Sequence, residues 1–318
     1  MKYKIKNYIV FFLCIIFLLT SCSLNEDKIQ TIEVPYTVRQ MRMMILSQIK
    51  RVDDAYTDAI WDREVTEDGR IYSDVFLEQM KQFFLDLAVI SSLASDDKQI
   101  LDTEEKKQLS EIEDAFYESS IKTSAKLVGM SKSDVAYMFE QYLIVQKYKD
   151  ALVKEKNAQV SDSQAKVIEV QQIVLSDADT ASQVLTSVQE SPSQFLSIAE
   201  QNSESESITV SVARGQLSEK IESTIFALGD DEISGIIYDE DKYYIFKCTN
   251  SYDVERTAAR KKQLEIQVEN ACVSEAIEEY LVDKYYVIDD EKWNEVVDGI
   301  FDTYVGEDMF AYIEGMLE

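Results

Sequence analysis

Apolar positions recur at helical spacing over most of this chain and switch to strand spacing in one internal window. Met41, Ile45, Ile49 and Val52 follow Thr37-Val38-Arg39-Gln40, a stretch of capping-box form, which predicts a helix from Thr37. A second helix is predicted over about 74–93, with Phe76, Met80, Phe83, Leu87 and Ile90 on one side. A third carries Leu109, Ile112 and Phe116 toward Leu127 and is closed by Gly129. Ser131 to Asp134 opens a fourth that bears Val135, Phe139, Tyr142, Val145 and Leu152. Near residue 165 the texture changes. Ile168, Val170 and Ile173-Val174-Leu175 predict a strand, followed by helices near 178–189 and 194–201. The alternation Ile208-Thr209-Val210-Ser211-Val212 predicts another strand. A short helix lies in Arg214 to Leu228, and Glu232 to Ile237 and Tyr243 to Cys248 complete the strands. From about 256 the helical period returns, with Leu264, Val268, Cys272, Ala276 and Tyr280 on one stripe.

These elements predict an α+β chain, mostly helical, with one compact β-α-α-β-α-β-β unit. Neither flanking helical stretch has an obvious core of its own, so the two are expected to pack together around the insertion point of that unit. The expected boundaries are 35–162 for the first helical part, 163–252 for the α+β unit and 253–318 for the second helical part. Two prolines and eight glycines leave little material for long loops.

The first residues follow a different logic. Lys2, Lys4 and Lys6 precede an unbroken apolar run from Ile9 to Leu19, which is too short to span a bilayer and suits the core of a signal peptide. It ends in Leu19-Thr20-Ser21-Cys22, which resembles the lipobox of bacterial lipoproteins. The resemblance implies a signal peptide over 1–21, lipid attachment at Cys22, a polar tether over 22–34, and an extracytoplasmic protein held at the cell membrane. Lipid chains supply about 0.8 kcal/mol per buried methylene, and more than one chain holds a protein stably.

Charge narrows the partners. The formal net charge is −28, and removal of three lysines with residues 1–21 makes it −31. Such a surface repels nucleic acid and anionic lipid and favours neutral or cationic partners. The chain contains no histidine, which rules out histidine-based triads and histidine metal sites; no CxxC and no glycine-rich phosphate loop occur. The acidic runs Asp239-Glu240-Asp241 and Ser203 to Glu206 lack calcium-loop spacing, so neither metal nor cofactor is expected. Cys248 and Cys272 are expected to be buried free thiols rather than a disulfide. Trp61 and Trp293 are expected to anchor the helical core.

The window from about 200 to 250 resembles a parvulin-type peptidyl-prolyl isomerase domain. Arg214-Gly215-Gln216-Leu217 leads to Ile221-Glu222, Phe226, Leu228 and Glu232-Ile233-Ser234 without a gap, in the manner of that family's R-G-Q-M-x-x-x-F segment. With the lipobox and the helical regions on either side, the chain resembles the PrsA foldase lipoproteins, relatives of the chaperone SurA. The resemblance implies an apolar substrate-binding wall at Leu217, Ile221 and Phe226. It also shows departures. Gln172 stands where the family has its first-strand histidine, Tyr244 where it has its last-strand histidine, and Ser205 where a Cys or Asp completes the network. Ser234 is kept.

Prolyl isomerisation lowers a barrier of about 18–20 kcal/mol without breaking a covalent bond, so no proton shuttle is required. Losing preorganised polar groups nonetheless costs about 10²–10³ in rate. The expected function is therefore a membrane-anchored extracytoplasmic foldase and chaperone for newly exported, unfolded polypeptides, with weak or lost isomerase activity. The alternative is an active isomerase with a rebuilt histidine-free site at Gln172, Ser205, Ser234 and Tyr244. In the chaperone reading the helical domain presents a concavity bearing Met41, Met43, Met44, Tyr137, Met138 and Tyr142. A homodimer through the helical regions is left open, and the lack of a doubly wound α/β pattern argues against a solute-binding lipoprotein.

Overall fold

The computed structural model describes residues 29–317 except 57, 125, 126, 128 and 303–305; the expected signal peptide and Cys22 lie outside the described residues. In chain order the elements begin with β1 (Gln30–Glu33), α1 (Val38–Ala55), α2 (Tyr72–Asp96), α3 (Thr103–Phe116) and α4 (Lys132–Glu155). They continue with α5 (Asp162–Ala165), β2 (Val167–Leu175), α6 (Ala178–Glu190), α7 (Phe195–Asn202), β3 (Thr209–Ala213), α8 (Glu219–Ile225), β4 (Ile237–Asp239) and β5 (Lys242–Asn250). Last come α9 (Val254–Tyr280), β6 (Lys284–Val287), α10 (Asp290–Val297) and α11 (Met309–Leu317). The fold is α+β. Two units emerge: the described residues up to Lys156 together with those from Glu269 onward, and Asn157–Val268.

In the helical unit the caps sit where their sequence signatures predict them. Thr37 accepts from the Gln40 amide at 3.3 Å while Gln40 Oε1 accepts from the Thr37 amide at 2.8 Å. Ser131 and Asp134 form the same reciprocal box at the start of α4. Each such cap is worth about 1 kcal/mol and fixes where the helix begins. Gly129 adopts a φ of +83°, which ends the preceding turn in a conformation that favours glycine. The third helix does not run unbroken toward Leu127: α3 stops at Phe116 and passes into a π turn, Tyr117–Ile121.

The core of this unit forms around α1. Met41, Met43, Met44, Ile45 and Leu46 are fully buried, because α10, α11 and α4 all pack on this one helix. Met138 is buried too, while Tyr137 and Tyr142 are half-buried. The methionines therefore serve packing rather than lining the concavity expected of them. Phe84, rather than the expected Phe83, joins Phe76 as a fully buried ring of α2; Phe83 lies at the margin against Phe310, with ring centroids 6.2 Å apart. Trp61 and Trp293 are both half-buried. Trp61 packs among Tyr72, Phe76 and Phe301, and Trp293 against Phe84.

Long-range pairing ties the two ends of the chain together. β1 pairs in parallel with β6, Gln30 opposite Lys284 and Glu33 opposite Val287. The expected tether to residue 34 is thus corrected: its last residues are a strand, and Val34 is buried behind it. The partner lies some 250 residues away in sequence, so no local signal announces it. Arg42 donates to the carbonyls of Glu295, Val296 and Asp298, each at 3.0 Å, and so caps the C-terminal end of α10.

The second unit holds a four-stranded antiparallel sheet in the order β3-β2-β5-β4. From β2 to β5 its elements follow the expected order β-α-α-β-α-β-β. The stretch predicted as a strand over 232–237 is irregular. Ile233 bridges to Lys247, but Ile237 pairs with Tyr244, so one extra residue is accommodated before β4 begins. The unit also continues past residue 252, where β5 has ended. Asp253 donates its amide to Val167 O at 2.9 Å, and the Val167 amide donates to buried Thr257 Oγ1 at 3.0 Å, which fastens the first turn of α9 to β2. Residues 254–268 of α9 belong to this unit and 269–280 to the helical one. The expected stripe on α9 is shifted: Cys272 is buried, but Val273 and Ile277 rather than Ala276 and Tyr280 complete the core face. Cys248 and Cys272 are both buried with free thiols.

Candidate functional site

Because side chains alternate across a strand, the register of β2 with β5 decides which residues share a face. Val170 stands opposite Cys248, Gln172 opposite Phe246 and Val174 opposite Tyr244. These residues point to one side, and Ile173, Leu175 and Ile245 to the other. The second side is closed by α6 and α7, whose Ala181, Val184, Val188, Phe195 and Ala199 complete an apolar cluster. The first side is covered by the short α8 and the Phe226 that follows it, through Ile221, Ile225 and Phe226, which pack on Ile168, Val170, Phe246 and Cys248. Gln172 and Tyr244 lie on this more open face and are half-buried.

Gln172 and Ser205 come together. Gln172 Nε2 donates to Ser205 Oγ at 3.1 Å and to Ser207 O at 2.8 Å, and Ser205 Oγ donates to Ser207 O at 3.0 Å. The cause is the end of the β2–β3 ladder at Gln171–Thr209. Beyond it residues 203–208 leave regular pairing, and side chains take over the unpaired groups of β2; the Val174 amide, for example, donates to Ser203 Oγ at 3.0 Å. Glu204 anchors this segment. It accepts from the Ser176 amide at 2.9 Å and pairs with Lys242 at 2.5 Å. The Lys242 ammonium first, and the Ser176 hydroxyl and amide next, hold its carboxyl down at about 2.

The loop that opens α8 explains its own sequence. Gly215 sits at a φ of +85°, and its amide donates to Glu222 Oε1 at 2.6 Å; the Leu217 amide reaches the same oxygen at 3.1 Å. Gln216 Oε1 accepts from the Ala213 amide at 2.8 Å, and Ser218 caps the helix by accepting from Ile221. Arg-Gly-Gln followed by Glu at 222 is therefore a self-bonded turn. It directs Ile221, 4 % exposed, and Phe226, 8 % exposed, into the core of the open face. Leu217 does not join them: it is 39 % exposed and lies outside that cluster.

Ser234 takes a different part from the one its place in the motif suggests. It is 3 % exposed, and its hydroxyl accepts from the Phe246 amide at 2.9 Å while donating to Gly235 O at 2.7 Å. Through these two bonds the hydroxyl holds the irregular segment before β4 against β5. Tyr244 stacks on Phe246, with rings 6.1 Å apart and nearly parallel. Its hydroxyl makes no hydrogen bond among the described residues, and burial is the main cause that pushes its acidity below that of a free phenol. It stays a neutral donor.

Two residues belong to this face to which the sequence assigned no role. Phe246, fully buried, links Gln172, Tyr244, Ser234 and the apolar wall; period-two alternation from Tyr244 places it there. The Arg214 guanidinium lies 4.3 Å from the centre of the Phe226 ring, with its Nε buried and unpaired among the described residues. The face thus combines an apolar wall, a cation over an aromatic ring and two neutral hydrogen-bonding side chains. Gln172, Ser205 and Tyr244 are neutral groups that offer hydrogen-bond donors and acceptors beside this wall.

Comparison with known proteins agrees with this geometry. Residues 175–250 match the family model described as Rotamase, PPIC-type PPIASE domain. No curated protein matches the sequence. Similar solved structures include the peptidylprolyl isomerase PrsA from Bacillus cereus, at 17% identity over 76% of this chain and 100% of that one, with a TM-score of 0.32. Foldase protein PrsA from Streptococcus pneumoniae is 20% identical over 73% of this chain and 97% of its own, with a TM-score of 0.30. PrsA from Bacillus subtilis is 19% identical over 74% and 98%, with a TM-score of 0.26. At such scores these three likenesses carry no weight for function, and it is the family match over residues 175–250 that shows a PPIC-type PPIase domain in this chain.

Proposed function

We propose that the protein is a foldase of exported polypeptides, held at the extracytoplasmic face of the membrane through Cys22, whose PPIC-type domain grips proline-bearing segments and isomerises them weakly or not at all. One observation carries the catalytic half of this reading. The polar positions around the apolar wall are filled by neutral groups, and the hydroxyl of Ser234 is consumed by the backbone of Phe246 and Gly235. A wall of Ile221, Phe226 and Phe246 remains, with Tyr244 beside it. The acidic surface favours neutral or cationic clients over acidic ones. With the methionines of α1 buried, the client grip falls to the PPIC-type domain rather than to those side chains.

The experiment is cis–trans exchange by NMR on Ala-Pro and Lys-Pro peptides with the full chain. Peptide binding with exchange near the spontaneous rate is the expected result. Leu217→Asp is the useful variant, because an exposed residue takes a charge without unfolding the domain, whereas Ile221→Asp would bury one. Leu217→Asp should weaken peptide binding about tenfold while leaving the melting temperature in place. Exchange well above the spontaneous rate, lost in Leu217→Asp, would instead establish a rebuilt site in which the Gln172–Ser205 pair orients the amide. No binding of either peptide would overturn both readings.

A further inference from the structure

Three large exposed apolar side chains meet at the corner of the helical unit where the chain enters β1. Register fixes the place, because Gln30 stands opposite Lys284. Ile29 directly precedes that pair on one strand and Tyr285 follows it on the other. Val282 lies in the turn between α9 and β6, two residues before Lys284. Ile29 is exposed, and Val282 and Tyr285 are 63 % and 61 % exposed. The next residue of β6 faces the other way: Tyr286 is buried, and its hydroxyl donates to Ser92 Oγ at 2.9 Å. Alternation along the strand therefore turns Tyr285 outward. The Lys284 ammonium lies 3.8 Å from the centre of the Tyr280 ring. Tyrosine and lysine side chains, each with an apolar body and a polar tip, suit the level of lipid headgroups.

The length of chain before this corner says what covers it. Cys22 precedes Ile29 by seven residues, and an extended chain advances at most about 3.6 Å per residue. The corner is thus held within about 25 Å of a lipid carried at Cys22. A short link of this kind gives an effective concentration on the order of mM, so a weak contact suffices. The mature charge of −31 opposes approach to anionic lipid, which leaves apolar burial as the attraction. A second copy of the chain fits less well. Stable pairing buries about 800 Å² on each partner, more than three side chains provide, and two such acidic chains repel.

We propose that Ile29, Val282 and Tyr285 dock on the bilayer surface, so that the β1–β6 corner of the helical unit faces the membrane. The inference rests on the anchoring at Cys22 stated under the proposed function. It assigns a role to exposed side chains that neither the core of the helical unit nor the prolyl site uses.

Fluorescence of the mature protein, extracted from membranes and reconstituted in phosphatidylcholine vesicles, tests this. Tyr285→Trp introduces a probe at the corner. Its added fluorescence should fall about twofold when the lipid acyl chains carry bromine near the headgroup, since docked apolar groups reach the acyl boundary. Val65→Trp is the control. Val65 is exposed near the start of α2, its amide bonded to Arg70 O, whereas Tyr286 meets that helix at Ser92. The twenty residues from Tyr72 to Ser92 span about 30 Å, so the control should not be quenched. Val282→Glu, added to Tyr285→Trp, should restore the fluorescence and leave the melting temperature in place, because the position is exposed. Equal quenching at Val65, quenching that survives Val282→Glu, or shielding that needs no vesicles and grows with protein concentration overturns the proposal. The mass of the N-terminal peptide separates the remaining failures. Absence of lipid at Cys22 overturns the anchoring and the docking with it, whereas a lipidated Cys22 with no quenching at the corner overturns the docking alone.

Discussion

The two faces of the four-stranded sheet are built by the same strands and end in different states. On one, α6 and α7 lay a continuous apolar layer over Ile173, Leu175 and Ile245. On the other, the seven-residue α8 covers Ile168, Val170, Phe246 and Cys248 and leaves Gln172 and Tyr244 half-buried. Adjacent residues of one strand thus serve opposite ends: Gln172 hydrogen-bonds within the candidate site while Ile173 is sealed in the core. The closed face provides rigidity that lets the open face carry polar groups and an unpaired guanidinium nitrogen at Arg214. Short cover on one side is what leaves half of a sheet open as the candidate site.

The strongest way to break this comparison is to remove one large ring from each face. Phe195→Ala on the closed face and Phe246→Ala on the open face should each cost about 3–5 kcal/mol in urea unfolding, since both rings are essentially fully buried. Only Phe246→Ala should also abolish binding of a prolyl peptide by the fraction that remains folded. If Phe195→Ala removes binding equally, the two faces are not functionally distinct. A smaller effect sharpens the role of Ser234. Ser234→Ala leaves the Phe246 amide without its buried acceptor, and a loss of about 1–3 kcal/mol is expected in the same assay. Unchanged stability there, with altered exchange on peptides, would return Ser234 to the site.

The smallest effects come from pH, and they run in opposite directions in the two units. Glu204, whose carboxyl is held at about 2 against an ordinary 4.5, stabilises its unit fully above 4.5 and loses that contribution as pH falls toward 2. Glu113 in the helical unit is pushed up to about 7, chiefly by burial and then by the charges of Glu140 and Asp114. Its folded form binds the proton more tightly than its unfolded form, so this unit should be most stable below 4.5 and weaken as pH rises through 7. Chemical denaturation followed by residue-resolved amide exchange at pH 3, 5 and 8 separates the units. Glu204→Gln should flatten the acid limb and Glu113→Gln the alkaline one; a variant with no effect on its own limb refutes the corresponding cause.

Much of the fold was legible because its signals are local. The boxes at Thr37–Gln40 and Ser131–Asp134 act across three residues, and the helices start at them. Strand alternation in 168–175 and 209–212 rests on neighbours two apart, and the turn at Gly215 on a backbone conformation that glycine alone adopts at little cost. The motif from Arg214 to Ser234 was readable for the same reason, and it located the wall at Ile221 and Phe226.

What local pattern could not decide was which contacts distant segments would make. Met41, Met43 and Met44 could equally have faced a client or a core until α10, α11 and α4 closed on α1. The strand at 30–33 exists only because its partner is at 284–287. Gln172 meets Ser205 across 33 residues because the ladder with β3 happens to stop at Gln171. Phe246 and Ser234 joined the picture through strand register. By itself the sequence determined the elements and the family motif, since those depend on interactions within a turn or a pleat. Tertiary structure alone decided which of its side chains are sealed, which are spent on the backbone and which stay free to bind, because burial is a property of the partners a side chain meets.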